Sequence, residues 1–133
     1  MRVLIALIAL FTLGGCATVT VVPKEQLAEQ RLTGGAEPIA HIYADNWGIY
    51  LFKYVPIATG SLSRPGAFRW PTWFSDQVQI ENLVQKVSDE SKRLGGTVLT
   101  DLRTRDRSYW MGNWLLTWPF WLNEFEASAN ASR

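Results

Sequence analysis

Cys16 is the only cysteine of the chain, and a thiol is an intrinsically strong nucleophile once deprotonated. With no second cysteine it has no partner for an internal disulfide. Arg103, Arg105 and Arg107 alternate, so a continuous strand would carry them on one face, close in sequence to Lys92 and Arg93. Guanidinium groups in such a row suit bidentate contact with lipid phosphates or a sugar-phosphate polymer. Their plainer role is a solvated face paired with Asp101, Asp106, Glu124 or Glu126. His41 is the only histidine. A metal site would have to combine it with carboxylates such as Asp45, and neither HxH nor HExxH spacing occurs, so a hydrogen-bonded strand histidine and no metal are expected. Ser61 and Ser63 lack a GxSxG elbow. Glu124 and Glu126 alternate as exposed strand carboxylates ordinarily do, although paired carboxylates can do acid–base work. The pairs Gly34-Gly35 and Gly95-Gly96 match no phosphate-loop spacing. No catalytic residue is assigned, and a non-enzyme without a cofactor is expected.

Tryptophan is the compositional outlier, with seven residues at 47, 70, 73, 110, 114, 118 and 121. Trp favours sites with one wet end and one apolar end, such as interfaces and membrane headgroup regions. On a helix Trp110, Trp114, Trp118 and Trp121 would share a face, but Pro119 would break that helix, so a loop leading into a strand is expected over Tyr109 to Leu122. Trp70, Trp73, Trp110, Trp114 and Trp118, with Phe74, make a candidate interaction patch for a membrane or a partner. The competing reading buries the rings in the core, where a small domain without disulfides gains most from large side chains.

The N-terminus explains the lone thiol. Met1-Arg2 gives a short positive end, and the apolar run Val3 to Leu13 has eleven residues, against roughly 20 for a membrane-spanning helix. A charged start, a short apolar core and small residues after it describe a secretory signal. Leu13-Gly14-Gly15-Cys16 resembles the bacterial lipobox. That resemblance implies cleavage before Cys16, a diacylglyceryl group on its sulfur and three acyl chains in all. Each buried CH₂ contributes about 0.8 kcal/mol, so two or more chains give stable anchoring. Ala17 stands where Asp would resemble an inner-membrane retention signal. A bacterial cell-envelope location is expected, the outer membrane favoured where there are two.

Charge excludes one class of partner. The 133 residues carry 13 Lys+Arg against 12 Asp+Glu, and a leader of fifteen residues would take Arg2 with it. A neutral chain lacks the basic field that general nucleic-acid binding needs. Apolar residues at 47% and charged ones at 19% describe one globular domain.

These groups must be positioned by few elements. Residues 1–15 read as signal peptide and 16–36 as the lipidated cysteine and a tether, in which Thr18 to Val22 is β-prone and Lys24 to Arg31 suits a short polar helix. A single domain is expected over 37–130. Ile39 to Tyr43 and Gly48 to Val55 read as strands, the second mostly apolar and buried, joined as a hairpin at Asp45-Asn46 or continuous as one bent strand. Ala58 to Phe74 is rich in Gly, Ser and Pro and reads as a long loop. The helix is the clearest element, from Ser75 as N-cap to Leu94, with Ile80, Leu83, Val84, Val87, Ser91 and Leu94 on one stripe and Gly95-Gly96 as its stop. A strand alternates Val98, Thr100, Leu102 and Thr104 with Leu99, Asp101, Arg103 and Arg105. A last one covers Trp121 to Asn130 with Phe125, Ala127 and Ala129 inward. The expected fold is α+β, in the order β-β-α-β-β, with one amphipathic helix on a small antiparallel sheet.

Three stretches together carry a family resemblance: Trp47-Gly48-Ile49-Tyr50-Leu51-Phe52 before a Gly/Ser loop, the helix ending Leu94-Gly95-Gly96-Thr97, and the strand Val98 to Arg105 followed by an apolar strand. In this order they resemble the TRL-like family of small bacterial lipoproteins. The resemblance spans most of the mature chain and implies fold and address without a catalytic signature. The Trp-rich insert from Tyr109 to Leu122 is heavier than that pattern. The expected function is a membrane-anchored, non-enzymatic interaction module that meets an envelope protein or surface through its aromatic loops. The alternative is a module for envelope glycans or phospholipid headgroups.

Overall fold

The computed structural model describes residues 17–26, 37–64, 68–69, 78–112 and 119–133. Among the described residues one antiparallel sheet carries the fold, and one α-helix covers part of one face. The strands are β1 (Ala17–Pro23), β2 (Pro38–Leu51), β3 (Val55–Gly60), β4 (Phe68–Arg69), β5 (Val98–Trp110) and β6 (Phe120–Ser132), with helix α1 (Ile80–Arg93) between β4 and β5. They lie in the order β4-β3-β2-β6-β5, with β1 also paired to β2. The α+β class stands, but four strands precede the helix and two follow it, so the expected β-β-α-β-β order is corrected.

β2 is the central strand and does not turn at Asp45-Asn46. It pairs along its whole length with β6, while its other edge holds β1 against 40–46 and β3 from Gly48 to Leu51. Hydrogen bonding on both edges outweighs a local turn preference, and Asp45 accepts a hydrogen bond from the Thr18 hydroxyl across the β1 pairing. Ala17–Pro23 is therefore sheet rather than free tether, and Ala17 is fully buried. A 3-10 turn, Lys24–Gln26, follows it.

The apolar stretch that reads as one strand to Val55 ends at Leu51. Phe52 and Lys53 take left-handed backbone angles, φ 50° and 72°, and the Tyr54 amide closes a turn onto the Leu51 carbonyl at 3.2 Å. The chain then returns as β3, whose last three residues, Ala58, Thr59 and Gly60, fall in the stretch expected to be loop. Among the described residues β4 pairs with β3 at Thr59 and Gly60.

The core lies between α1 and the face formed by Ile42 and Ala44 of β2 and Ala127, Ala129 and Ala131 of β6, with Leu83 and Val87 of the helix pressed onto it. Alanine at those sheet positions lets the helix approach closely. Val19 and Val21 of β1, Leu94, Leu99 and Phe125 close the sides. The helical stripe matches expectation, but the helix begins at Ile80 with Gln79 as N-cap and no side-chain cap bond. Ser75, the expected cap, lies outside the described residues, and Val78 and Gln79 are already non-helical. At the other end Gly95, φ 84°, donates to the Lys92 carbonyl and Gly96 to the Ser91 carbonyl, the paired bonds of a glycine-terminated helix.

Candidate functional site

Two surfaces gather the chemistry that the fold leaves open. One is the sheet face turned away from α1. Across β5 and β6, Arg103 stands opposite Ser128, Arg105 opposite Glu126 and Arg107 opposite Glu124. Their β2 neighbours on the same face are Tyr43, Asp45 and Trp47. The three arginines share that face only because β5 bulges. Two residues, Asp101 and Leu102, stand against Ala129 alone, and Asp101 takes φ 52°. The bulge shifts the alternation by one, so Thr100 precedes Arg103 on this face while Leu99 packs on the core. The unbroken alternation expected from Val98 to Arg105 is thereby corrected.

The arginines differ in their partners. Arg107 lies 3.5 Å from Glu126 and 3.8 Å from Glu124. A hydrogen bond with the Tyr109 hydroxyl, then the Glu126 and Glu124 charges, hold its guanidinium above the usual arginine range. Arg103 and Arg105 form no ion pair among the described residues. They border an open cleft of about 380 Å³ with Tyr43, Thr104, Glu126 and Ser128. Burial, followed by the nearby carboxylates of Glu126, Asp45 and Glu124, pushes the Tyr43 phenol up. The cleft thus offers two cations outside any ion pair among the described residues, a neutral phenol, the Thr104 and Ser128 hydroxyls and the Glu126 carboxylate, in a volume near the lower end of small-ligand sites, about 300 Å³.

His41 stands at one end of this face. Its Nδ1 donates to Asn130 Oδ1 at 2.7 Å, and Asn130 Nδ2 donates to Asp101 Oδ2 at 3.3 Å. Since the Asn130 amide nitrogen is spent on Asp101, its oxygen is the acceptor and His41 carries the Nδ1 proton. Asp45 is four residues along the strand and bonds Thr18 instead. Among the described residues no group of three or more His, Cys, Asp or Glu is placed to hold a metal.

The second surface is the end of the sheet where β2 turns into β3 and β5 approaches β6. Phe52, Tyr54 and Val55 are exposed on one side of it, and Tyr109, Trp110 and Met111 on the other. Tyr54 is 82% accessible and Trp110 57%. Trp110 stands directly opposite Trp121, which stands opposite Tyr50, making an aromatic row across three strands. Lys53 Nζ lies 5.5 Å from the Trp121 ring centroid. The two sides are tied together: Phe52 N–H donates to the Pro119 carbonyl at 2.7 Å and Met111 N–H to that of Phe120 at 3.0 Å. Two left-handed non-glycine residues in that turn are the kind of strain that persists where a site needs it.

Of the expected patch, Trp110 is here; Trp70, Trp73, Trp114 and Trp118 lie outside the described residues, as does Cys16. Phe52, Tyr54 and Val55 fall in the stretch read as a buried strand, whereas Met111 belongs to the Trp-rich segment already read as a candidate surface. The available signal was Lys53, a charge inside an apolar run. Among the described residues no helix is long and apolar enough to cross a membrane. No family model, characterised protein or solved structure matches the chain.

Proposed function

We propose that this chain is a lipid-anchored lipoprotein of the bacterial cell envelope, akin to the TRL-like lipoproteins, acting as a non-enzymatic interaction module. The outer membrane is its favoured location. The observation that carries the reading is the pairing of a lipobox-like Leu13-Gly14-Gly15-Cys16 with an aromatic end, free of acidic residues and carrying Lys53, left exposed on the sheet. A small domain that needed those rings for stability would have covered them. The protein has no further cysteine for other use, so covalent lipid is the only attached group the reading requires. Replacing Cys16 tests it. Cys16→Ser abolishes membrane retention, and mass spectrometry of the native protein finds acyl chains on a new N-terminal cysteine. An intact leader, or an unmodified thiol at residue 16, refutes the anchor.

A second reading, recognition of envelope glycans or phospholipid headgroups, is favoured by one separate observation. Among the described residues Arg103 and Arg105 form no ion pair, and they stand at the rim of a cleft that also presents Tyr43, Ser128 and the Glu126 carboxylate, itself bound to Arg107. Titration with a phosphorylated sugar, followed by the arginine Nε–H NMR signals, tests it. Shifts lost in Arg103→Gln support the reading, and unmoved signals remove it.

A further inference from the structure

We infer that the exposed aromatic end of the sheet is the bilayer-contacting end, sitting in the headgroup layer with Tyr54 and Trp110 in lipid and the β1–β2–β6 ladder rising from it. The inference rests on the lipid anchor proposed above and adds how the domain stands on it. β1 runs antiparallel to β2, with Ala17 opposite Asn46 and Pro23 opposite Ala40. Followed backwards, the chain therefore leaves the sheet in the direction of Leu51, toward the aromatic end. Ala17 is fully buried and paired, so a lipid on residue 16 is separated from the folded sheet by a single residue step of about 3.8 Å. There is no slack for the domain to stand off.

Distances then decide what meets the membrane. Leu51 lies five residues beyond Asn46, and at about 3.4 Å per residue the aromatic end projects about 17 Å past Ala17. The interfacial layer on each side of a bilayer is only about 5–7 Å deep. A domain tied at residue 16 therefore cannot stand with its strands upright and keep that end in water; leaning over, it lays the aromatic end at the headgroup level.

Chemistry selects this orientation over its reverse. Within Tyr50–Ile57, Ser108–Gly112 and Pro119–Leu122 the only charged residue is Lys53, and no acidic residue occurs. Tyr, Trp and a lysine able to reach the phosphates are the residue types that settle at the headgroup level. The opposite end carries Lys24, Glu37 and Arg133 in an exposed ion-pair cluster. Its desolvation would oppose contact with lipid.

The test uses the full-length, lipidated protein in vesicles of phosphatidylethanolamine and phosphatidylglycerol. Acylation consumes the Cys16 thiol, so a cysteine introduced as Tyr54→Cys, Tyr109→Cys or Val98→Cys is the only group a thiol-reactive fluorophore can label. All three positions are exposed, so the fold tolerates the change. Labels at 54 and 109 are quenched by nitroxide-bearing lipid and shielded several-fold from aqueous iodide, while the label at 98 shows the reverse. Protein that floats with the vesicles yet leaves 54 and 109 as open to iodide as 98 overturns the orientation and keeps the anchor. Shielding at 54 and 109 without lipid quenching also overturns it, in favour of a protein partner. Failure to float removes anchor and orientation together.

Discussion

The side-chain amide of Asn123 donates to the main-chain carbonyl of Lys53 at 3.2 Å, while its oxygen accepts from the Ser108 hydroxyl at 2.9 Å. One nearly buried residue of β6 thus ties the β2–β3 turn to β5 across the aromatic end. Asn123→Ala removes both bonds and leaves the Lys53 carbonyl without this partner, at a cost of about 1–2 kcal/mol. The urea midpoint falls with an unchanged m-value. A midpoint within error of the parent shows that the turn holds itself.

The helix stop makes a sharper comparison. Gly95 has φ 84° and nothing within 4 Å of where a Cβ would sit. Gly95→Ala therefore meets only backbone strain, about 1–2 kcal/mol. At Gly96 a Cβ would collide with Ser91 Oγ and lie 3.1 Å from the Ser91 carbonyl oxygen. That oxygen is fixed by the helix end, so Gly96→Ala costs more than Gly95→Ala. Equal losses would show that the last turn of α1 yields freely.

Stability falls at both pH extremes, for identifiable groups. The Glu37 carboxylate is held below its ordinary 4.5 by a hydrogen bond and charge from Arg133, then by Lys24. Glu90 is held below 4.5 by its hydrogen bond to Arg93. Depressed carboxylates contribute stability that is present above 4.5 and lost as pH falls through the lower folded values. Tyr43 works in the opposite sense. Its folded value is raised above 10, first by burial, so its contribution is complete below 10 and lost as pH climbs through the folded value. Urea midpoints across pH show both limbs. Glu90→Gln flattens the acid limb and Tyr43→Phe the alkaline one.

Much of this fold was legible because local and global signals agree in it. The α1 stripe and the Gly95-Gly96 stop are written in spacing alone, and Phe125, Ala127 and Ala129 alternate as a half-covered strand must. Three features were not legible, each for its own reason. Asp45-Asn46 looks like a turn, but pairing to β1 and β6 on both edges keeps β2 straight. Phe52-Lys53 looks like strand, but it makes a turn from residues with no preference for positive φ. The alternation in β5 is displaced by a bulge at Asp101, which nothing short of the β6 register reveals. The same three features decide the candidate site. They set the direction of the N-terminus, the exposure of Phe52 and Tyr54, and which face of the sheet the arginines occupy.

The turn at Phe52-Lys53 carries the clearest trade between stability and function. Two successive positive-φ residues are the arrangement that Asn-Gly satisfies best in a two-residue hairpin turn. Relief of left-handed strain is worth about 1–2 kcal/mol per residue, while loss of Lys53 from the face of Trp121 costs about 0.5–1 kcal/mol. The double variant Phe52→Asn, Lys53→Gly is therefore expected to be more stable than the parent by about 1–3 kcal/mol, read as a higher urea midpoint. The same change removes an exposed ring and the only cation of the aromatic end, so the Tyr54→Cys label in that background is quenched less by nitroxide-bearing lipid. A turn kept for folding would lose stability on this substitution. One kept for its outward-facing side chains gains stability and loses lipid contact.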